Sequence, residues 1–184
     1  KNLILSLLIS KGVPMILMGD EIGRSQGGNN NSWCQNNLLG WMNWEHGQQD
    51  LELLEYFKYV IKIRKKLINI FNPTSSLNNQ SDENIPQYHW HGTKLKTPDW
   101  SSWSHTVAFS LNKDENNPLI WVGLNAYSKN IEFCLPKFNG KWLKVIDTSM
   151  SEIFEPYSIN DQSLNIKSRS SVLIISEEVF RAKK

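Results

Sequence analysis

The sequence predicts two unlike parts in tandem. Residues 1–72 read as the helix–strand–helix unit of a parallel (β/α) barrel cut near its end, residues 73–86 as a linker or surface loop, and residues 87–184 as a small antiparallel β-sandwich. Three observations predict this. The apolar run Leu3 to Ile9 is followed at once by a second, Val13 to Met18, and later by an amphipathic stretch, Leu51 to Leu67, the repeating order of an α/β barrel. From Asn72 to Ile85, Ser, Asn, Gln and acids replace apolar residues, with Pro at both flanks, the composition of a connection. Beyond it the apolar period changes from helical to two.

The chain opens on Lys1 and its first residues read as the middle of a longer sequence, so a fragment or processed piece is expected. Leu3 to Ile9 is apolar enough to resemble the core of a signal peptide. A helix packed on a barrel is the better reading, because no small-residue cleavage site follows and a second apolar run comes directly after. Gly12 is its expected C-terminal cap. Ser6, Ser10, Lys11, Gly12 and Pro14 interrupt the stretch well before the roughly 20 residues a membrane span requires.

Val13 to Met18, with Pro14 at its entrance and Gly19 at its exit, suits a strand buried on both faces. Asp20 and Glu21 then sit where that strand ends. They open a loop dense in Gly, Asn, Ser and Gln that carries Arg24, Trp33, Trp41 and Trp44. Ligands gather at the C-terminal ends of parallel strands, which makes this loop the candidate site. In the helix that follows, Leu51, Leu54, Phe57 and Ile61 recur at three- and four-residue spacings, Asp50 is the expected N-cap, and the basic cluster Lys62 to Lys66 suits the negative end of the dipole without needing a ligand.

Strands are predicted at 88–91, 106–111, 119–125, 131–135, 142–147, 164–166 and 172–175. Turn residues separate them, among them Asn116-Asn117-Pro118, Ser128-Lys129-Asn130 and Asn139-Gly140. About seven short strands with little helix make a two-layer sandwich, expected over 87–175 to fold without the barrel.

Composition narrows the function. With 40% hydrophobic and 21% charged residues the balance is globular, and a net charge of +2 with no basic run beyond a short tail gives no reason to expect nucleic acid. Eight Trp is high for 184 residues; most Trp are packing residues, but flat faces bordered by polar groups are also what sugar rings stack on. Cys34 and Cys134 match neither a zinc spacing nor a redox pair, so two free thiols are expected. His89 and His91 share a strand face with no third ligand nearby, and no metal or cofactor is expected. The acceptor patterns Asn30-Asn31-Ser32 and Asn79-Gln80-Ser81 carry no weight in so Asn-rich a chain.

GVPMILMGDEIGR followed by GGNNNSWCQNN resembles the segment around the eighth barrel strand of isoamylase-type starch and glycogen debranching enzymes, in the α-amylase superfamily. HWHG, TPDWSSWSHTVAFSL, GLNAYS and KWLKVIDTS continue the resemblance in the order those enzymes have, and it is weakest from Asn72 to Pro86 and after Met150. It implies the C-terminal end of a (β/α)8 barrel followed by the C-terminal β-sandwich domain. The implied activity is hydrolysis of α-1,6 branch linkages in starch or glycogen by a retaining mechanism, with an Asp nucleophile, a Glu acid/base and a second Asp on earlier strands. Implied partners are branched α-glucan, the missing N-terminal part of the barrel, and other isoamylase-type subunits in a homo- or hetero-oligomer. A plastid or the cytoplasm is the implied compartment.

No catalytic residue is therefore expected in this chain. Asp20 and Glu21 are expected to be structural, accepting backbone donors or pairing with Arg24 at the top of the barrel. Asn30, Asn31, Gln35 and Asn36 offer amide donors and acceptors that match glucan hydroxyls, Trp33 offers a stacking face, and Arg24 completes the expected substrate-binding set. The Asn run serves a tight turn equally well. Trp100, Trp103 and His105 fit an interface against the barrel better than a secondary starch-binding surface, because they lie in a connection between strands and large aromatics bury well between domains. The alternative function is a non-catalytic glucan-binding or scaffolding subunit, which the family also contains.

Overall fold

The computed structural model describes residues 1–45, 47–71 and 85–182. The linker expected at 73–86 lies, apart from Ile85 and Pro86, outside the described residues, as do the Asn79 pattern and the Lys183-Lys184 tail.

Helices α1 (Asn2–Ile9), α2 (Gln48–Lys66) and the short α3 (Ile68–Phe71) precede the strands, and α4 (Glu177–Arg181) follows them. The strands are β1 (Gln87–His91), β2 (Thr106–Asn112), β3 (Pro118–Asn125), β4 (Ile131–Cys134), β5 (Trp142–Asp147), β6 (Tyr157–Ile159), β7 (Ser163–Ile166) and β8 (Ser170–Ser176). All seven predicted runs are strands. The eighth, β6, is too short at three residues to display an alternation.

Six strands form one antiparallel sheet in the order β1-β2-β3-β8-β5-β6, and β4 pairs with β7 in a separate two-stranded sheet. Alternation along each strand sends side chains to two faces. Ala108, Trp121, Trp142, Val172 and Ile174 face the small sheet, where Phe133, Leu135 and Ile166 meet them. Phe109, Leu111, Ile120, Val122, Leu143, Leu173 and Ile175 face Leu5, Leu8, Tyr56, Phe57, Val60, Ile63 and Leu67 of the helices. Because the large sheet is covered on both sides, β8 is buried at every residue. Each such aliphatic or aromatic side chain contributes about 1.5–3 kcal/mol. At Gly123 a Cβ would lie 2.4 Å from Ile166 Cδ1 and 2.5 Å from Trp121 Cη2, so the missing side chain is what lets the indole fit between the sheets.

The layering differs from the expected sandwich: the second sheet has two strands, and helices supply the other cover. The helices and the large sheet share one core, so one face of the sheet in 87–175 is packed against α1 and α2.

Three local expectations are corrected. Val13 to Met18 is not a strand: Val13 to Leu17 has no regular structure, Met18 lies in a turn, and Val13 and Met15 are 93% and 90% exposed. A strand is stabilised by its neighbours' N–H and C=O groups, and among the described residues none lies beside this one. Helix α1 ends on an extended Ser10 rather than on Gly12. Its cap comes from α2: Arg64, buried despite its charge, donates from Nη1 to Leu8 O (2.5 Å) and Ser10 O (2.9 Å), and from Nη2 to Gly12 O. Helix α2 begins three residues before its expected start, with Gly47 as N-cap and Asp50 Oδ2 accepting from Gly47 N (3.0 Å). Its buried stripe runs through Tyr56, Phe57, Val60, Ile63 and Arg64, leaving Leu51 exposed.

One buried titratable group sits beside the sheet. His91 Nδ1 accepts from Lys96 N (2.9 Å), which places the proton on Nε2 for donation to Ser110 Oγ (3.1 Å). Burial, reinforced by His89 and Lys96, lowers its pKa to about 4. The imidazole is therefore a neutral structural link between β1, β2 and the turn that follows β1.

Candidate functional site

The loop from Gly19 to Gly47 is held at both ends by α2. Its first residues form a single 3-10 turn, Asp20–Ile22, whose Ile22 is buried. Gly19 enters the turn at φ +101°, and a Cβ there would lie 2.6 Å from Arg24 Cδ, so the backbone angle and the crossing Arg24 side chain both require glycine. Asp20 and Glu21 thus belong to a turn rather than to a strand end.

Glu21 Oε2 accepts from Gly19 N (2.8 Å), the backbone role expected of it. The pairing with Arg24 is not made. Arg24 Nη2 instead donates to Gly40 O (2.7 Å) and Leu39 O (3.3 Å), drawing the far side of the loop back over the 3-10 turn. Arg24 Nε is buried without a partner among the described residues. This guanidinium is a fastener of the loop, and its terminal donors are already engaged.

Beyond Arg24 the loop is built from asparagine side chains that each cap a backbone N–H two residues on. Asn29 Oδ1 accepts from Asn31 N (2.9 Å), Asn31 Oδ1 from Trp33 N (3.1 Å), Asn37 Oδ1 from Leu39 N (3.0 Å) and Asn43 Oδ1 from Glu45 N (3.0 Å). Such Asx turns order a chain without a core. Gln35 Oε1 accepts from Asn29 Nδ2 (3.1 Å), and Asn36 Oδ1 from Trp41 Nε1 (2.8 Å). Of the expected sugar-contacting amides, Asn31, Gln35 and Asn36 thus have one oxygen each committed to the loop, and keep their NH2 groups for other partners. Asn30 is exposed and makes no side-chain hydrogen bond among the described residues.

These turns present indoles to solvent. Trp33 is 90% exposed and Trp44 79%, while Trp41 is fixed through its Nε1. Flat apolar faces next to amide donors and acceptors are the chemistry of polyol recognition.

A second aromatic group, on the β region, went unread in the sequence because Tyr88 and Trp90 serve as ordinary strand residues. Trp100 stands edge-on to Trp90, with centroids 5.4 Å apart, whereas Trp103 is 77% exposed and offers its carbonyl to His105 Nδ1 (2.6 Å). The signal was the two-residue spacing of Tyr88 and Trp90 on the outer strand β1. Both cysteines are exposed and free. Among the described residues no helix is long and apolar enough to cross a membrane.

Comparison with known proteins places these features in a family. Residues 89–180 match the family model "Isoamylase 1-3, C-terminal". Isoamylase 1, chloroplastic, of Oryza sativa subsp. japonica is 35% identical over 149 residues, which is 80% of this chain and 18% of that protein. The glycogen operon protein GlgX homolog of Haemophilus influenzae is 36% identical over 150 residues, 80% of this chain and 20% of that protein. The chain therefore spans about a fifth of the length of the curated relatives it matches. Among solved structures, pullulanase type I from Bacillus subtilis str. 168 complexed with maltose superimposes with a TM-score of 0.66 at 22% identity, over 94% of this chain and 22% of that one, a likeness of fold. The chain belongs to the isoamylase family, with that family's C-terminal domain over residues 89–180.

Proposed function

We propose that this chain is the C-terminal part of a debranching glycoside hydrolase. The parent enzyme cleaves α-1,6 branch linkages of starch or glycogen by a retaining mechanism. In this reading residues 1–72 close the catalytic (β/α)8 barrel, 73–86 connect, and 87–184 form the C-terminal β domain. The observation that carries it is the loop after Met18, which displays Trp33, Trp41 and Trp44 beside partly free amides on a chain whose relatives are named isoamylase and glycogen debranching enzyme. Asn30, Asn31, Gln35 and Asn36 meet glucan hydroxyls and Trp33 stacks on a ring. Arg24 contributes by holding the loop in place.

The chemistry itself is assigned upstream. A retaining glycosidase needs two carboxyl groups about 5–5.5 Å apart on either side of the scissile bond. Asp20 and Glu21 are neighbours in one turn, and Glu21 is engaged with Gly19 N, so they do not flank a substrate. The Asp nucleophile, Glu acid/base and second Asp belong to earlier barrel strands. The same display of indoles and amides serves a glucan-binding scaffold equally well, which is the second reading.

Reducing-end release from amylopectin separates the two. The 184-residue chain alone is expected to release none, and the longer protein is expected to debranch. A longer protein that binds amylopectin without cleaving it establishes the scaffold; hydrolysis by the chain alone overturns the upstream placement.

A further inference from the structure

Arg64 reaches past the end of helix α1. The helix already closes on itself, since Ser10 N donates to Leu7 O (3.3 Å) and Ser10 Oγ to Ser6 O (2.6 Å). Of the three carbonyls that Arg64 holds, Ser10 O and Gly12 O lie beyond the helix, on the stretch that leads into Val13 to Met18. The side chain is buried, its guanidinium lies 5.5 Å from the centre of the Phe71 ring, and among the described residues no carboxylate pairs with it. A lysine brings the same charge, but only arginine brings a planar fork whose donors point in fixed directions. Arg24 stands at the far end of the same segment, donating from Nη1 to Met18 O (3.5 Å) and from Nη2 to the Leu39 and Gly40 carbonyls. Both ends rest on α2: Arg64 belongs to it, and the 3-10 turn Asp20–Ile22 packs on it, with Gly23 beside Leu53. Leu53 and Arg64 are about 16 Å apart along that one helix.

We infer that Arg64 is a positioning residue for the glucan site: it sets the depth at which Val13 to Met18 leaves α1, and hence the level at which the 19–45 loop stands. The strand and the glucan both rest on the debranching reading proposed above. In the barrel of that reading the segment advances about 3.3 Å per residue, and a slip of one residue turns every side chain to the opposite face. Its own pattern does not prevent a slip. Val13, Met15 and Leu17 alternate with Pro14, Ile16 and Met18, all of them apolar, so both faces read alike after a shift of one. Directed hydrogen bonds at the two ends distinguish the registers instead. The carbonyls of Leu8, Ser10 and Gly12, at alternate positions, meet one fork, and a shifted chain no longer offers all three. The loop that displays Trp33, Trp41 and Trp44 then starts from a fixed point on α2.

The test is a double-mutant cycle on the 184-residue chain with Arg64→Lys and Arg24→Lys, each of which keeps the charge and loses the fork. It is read by hydrogen exchange at the Gly40 and Trp41 amides, both bonded to Asn37 O inside the loop. If the two arginines hold one unit, each variant alone speeds this exchange about tenfold and the double variant by about the same factor, whereas independent sites multiply to about a hundredfold. Multiplying factors overturn the inference. So does an Arg64→Lys chain in which only the amides at the end of α1 respond, the result of a purely local cap. Gly12 holds φ +98° with open space around a Cβ, so Gly12→Ala strains the same joint and leaves the buried charge in place. It is expected to speed exchange at Gly40 and Trp41 as well, which keeps the test sound if Arg64→Lys fails to fold; no response there overturns the inference. In the longer protein Arg64→Lys is expected to raise the Michaelis constant for amylopectin about fivefold with kcat within about twofold, and an unchanged Michaelis constant overturns the role in glucan positioning. A longer wild-type protein that cleaves nothing fails the debranching reading alone, because the exchange cycle is read without activity.

Discussion

The β region and the loop before α2 solve the same problem by opposite means. In β2, β3 and β8 the backbone groups pair with those of distant residues, in ladders joining Thr106 to Asn125 and Asn125 to Ser170, and the side chains are buried on both faces. Between Gly19 and Gly47 the backbone is held by short-range contacts, backbone turn bonds such as Gly40 N to Asn37 O together with the side chains of Asn29, Asn31, Asn37 and Asn43, each acting two residues ahead. Those three strands derive their order from a core and hide their large residues. The loop derives its own from local polar contacts and leaves Trp33, Trp41 and Trp44 in solvent. Local ordering thus keeps aromatic faces available for a ligand, which a core would consume.

The contrast is broken most severely by removing the helices. A chain of residues 85–182 exposes the sheet face carrying Phe109, Leu111, Ile120, Val122, Leu143, Leu173 and Ile175. It is expected to give a collapsed, undispersed amide spectrum; a dispersed spectrum establishes the autonomy that the strand pattern implied. Next in size is Trp121→Ala, which empties the space between the two sheets and is expected to cost about 3–5 kcal/mol in urea unfolding. Val13→Ala or Met15→Ala in the exposed segment should shift the same midpoint by no more than about 0.5 kcal/mol.

Two buried titratable side chains, His91 and Arg64, sharpen the comparison further. Because the folded-state pKa of His91 is depressed to about 4 from 6.5, the unfolded chain binds the proton first. This contribution to stability is complete above about 6.5 and is lost as pH falls toward about 4, by at most about 3 kcal/mol. Unfolding free energies between these two pH values measure that slope, and His91→Gln should flatten it. Arg64→Met leaves the Leu8, Ser10 and Gly12 carbonyls without their donor and is expected to cost about 2–3 kcal/mol, with amide exchange rising first at the end of α1.

The smallest effect belongs to the loop. Asn30→Ala, which breaks no side-chain hydrogen bond among the described residues, should leave the melting temperature unchanged and raise the Michaelis constant of the longer protein for branched glucan. Asn31→Ala also removes the cap on Trp33 N, so it should raise both that constant and the mobility of Trp33. Equal behaviour of the two variants would place Asn31 in substrate binding alone.

The sequence by itself determined where the strands run, since period-two alternation and turn residues are local properties that survive into the fold at all seven predicted positions. It also carried the family, through runs such as GVPMILMGDEIGR, and it located the loop whose Asn residues form turns by acting on their own neighbours. The tertiary structure alone decided what depends on distant partners. Val13 to Met18 is apolar enough for a strand, but hydrogen-bonded neighbours make a strand, and among the described residues none stands beside it. Arg64 reads as one more surface cation until α1 brings three carbonyls to it across more than fifty residues. Tyr88 and Trp90 read as sheet residues until α1 stops short of covering them. In each case the deciding atoms belong to another element, and no pattern within a single stretch of chain records them.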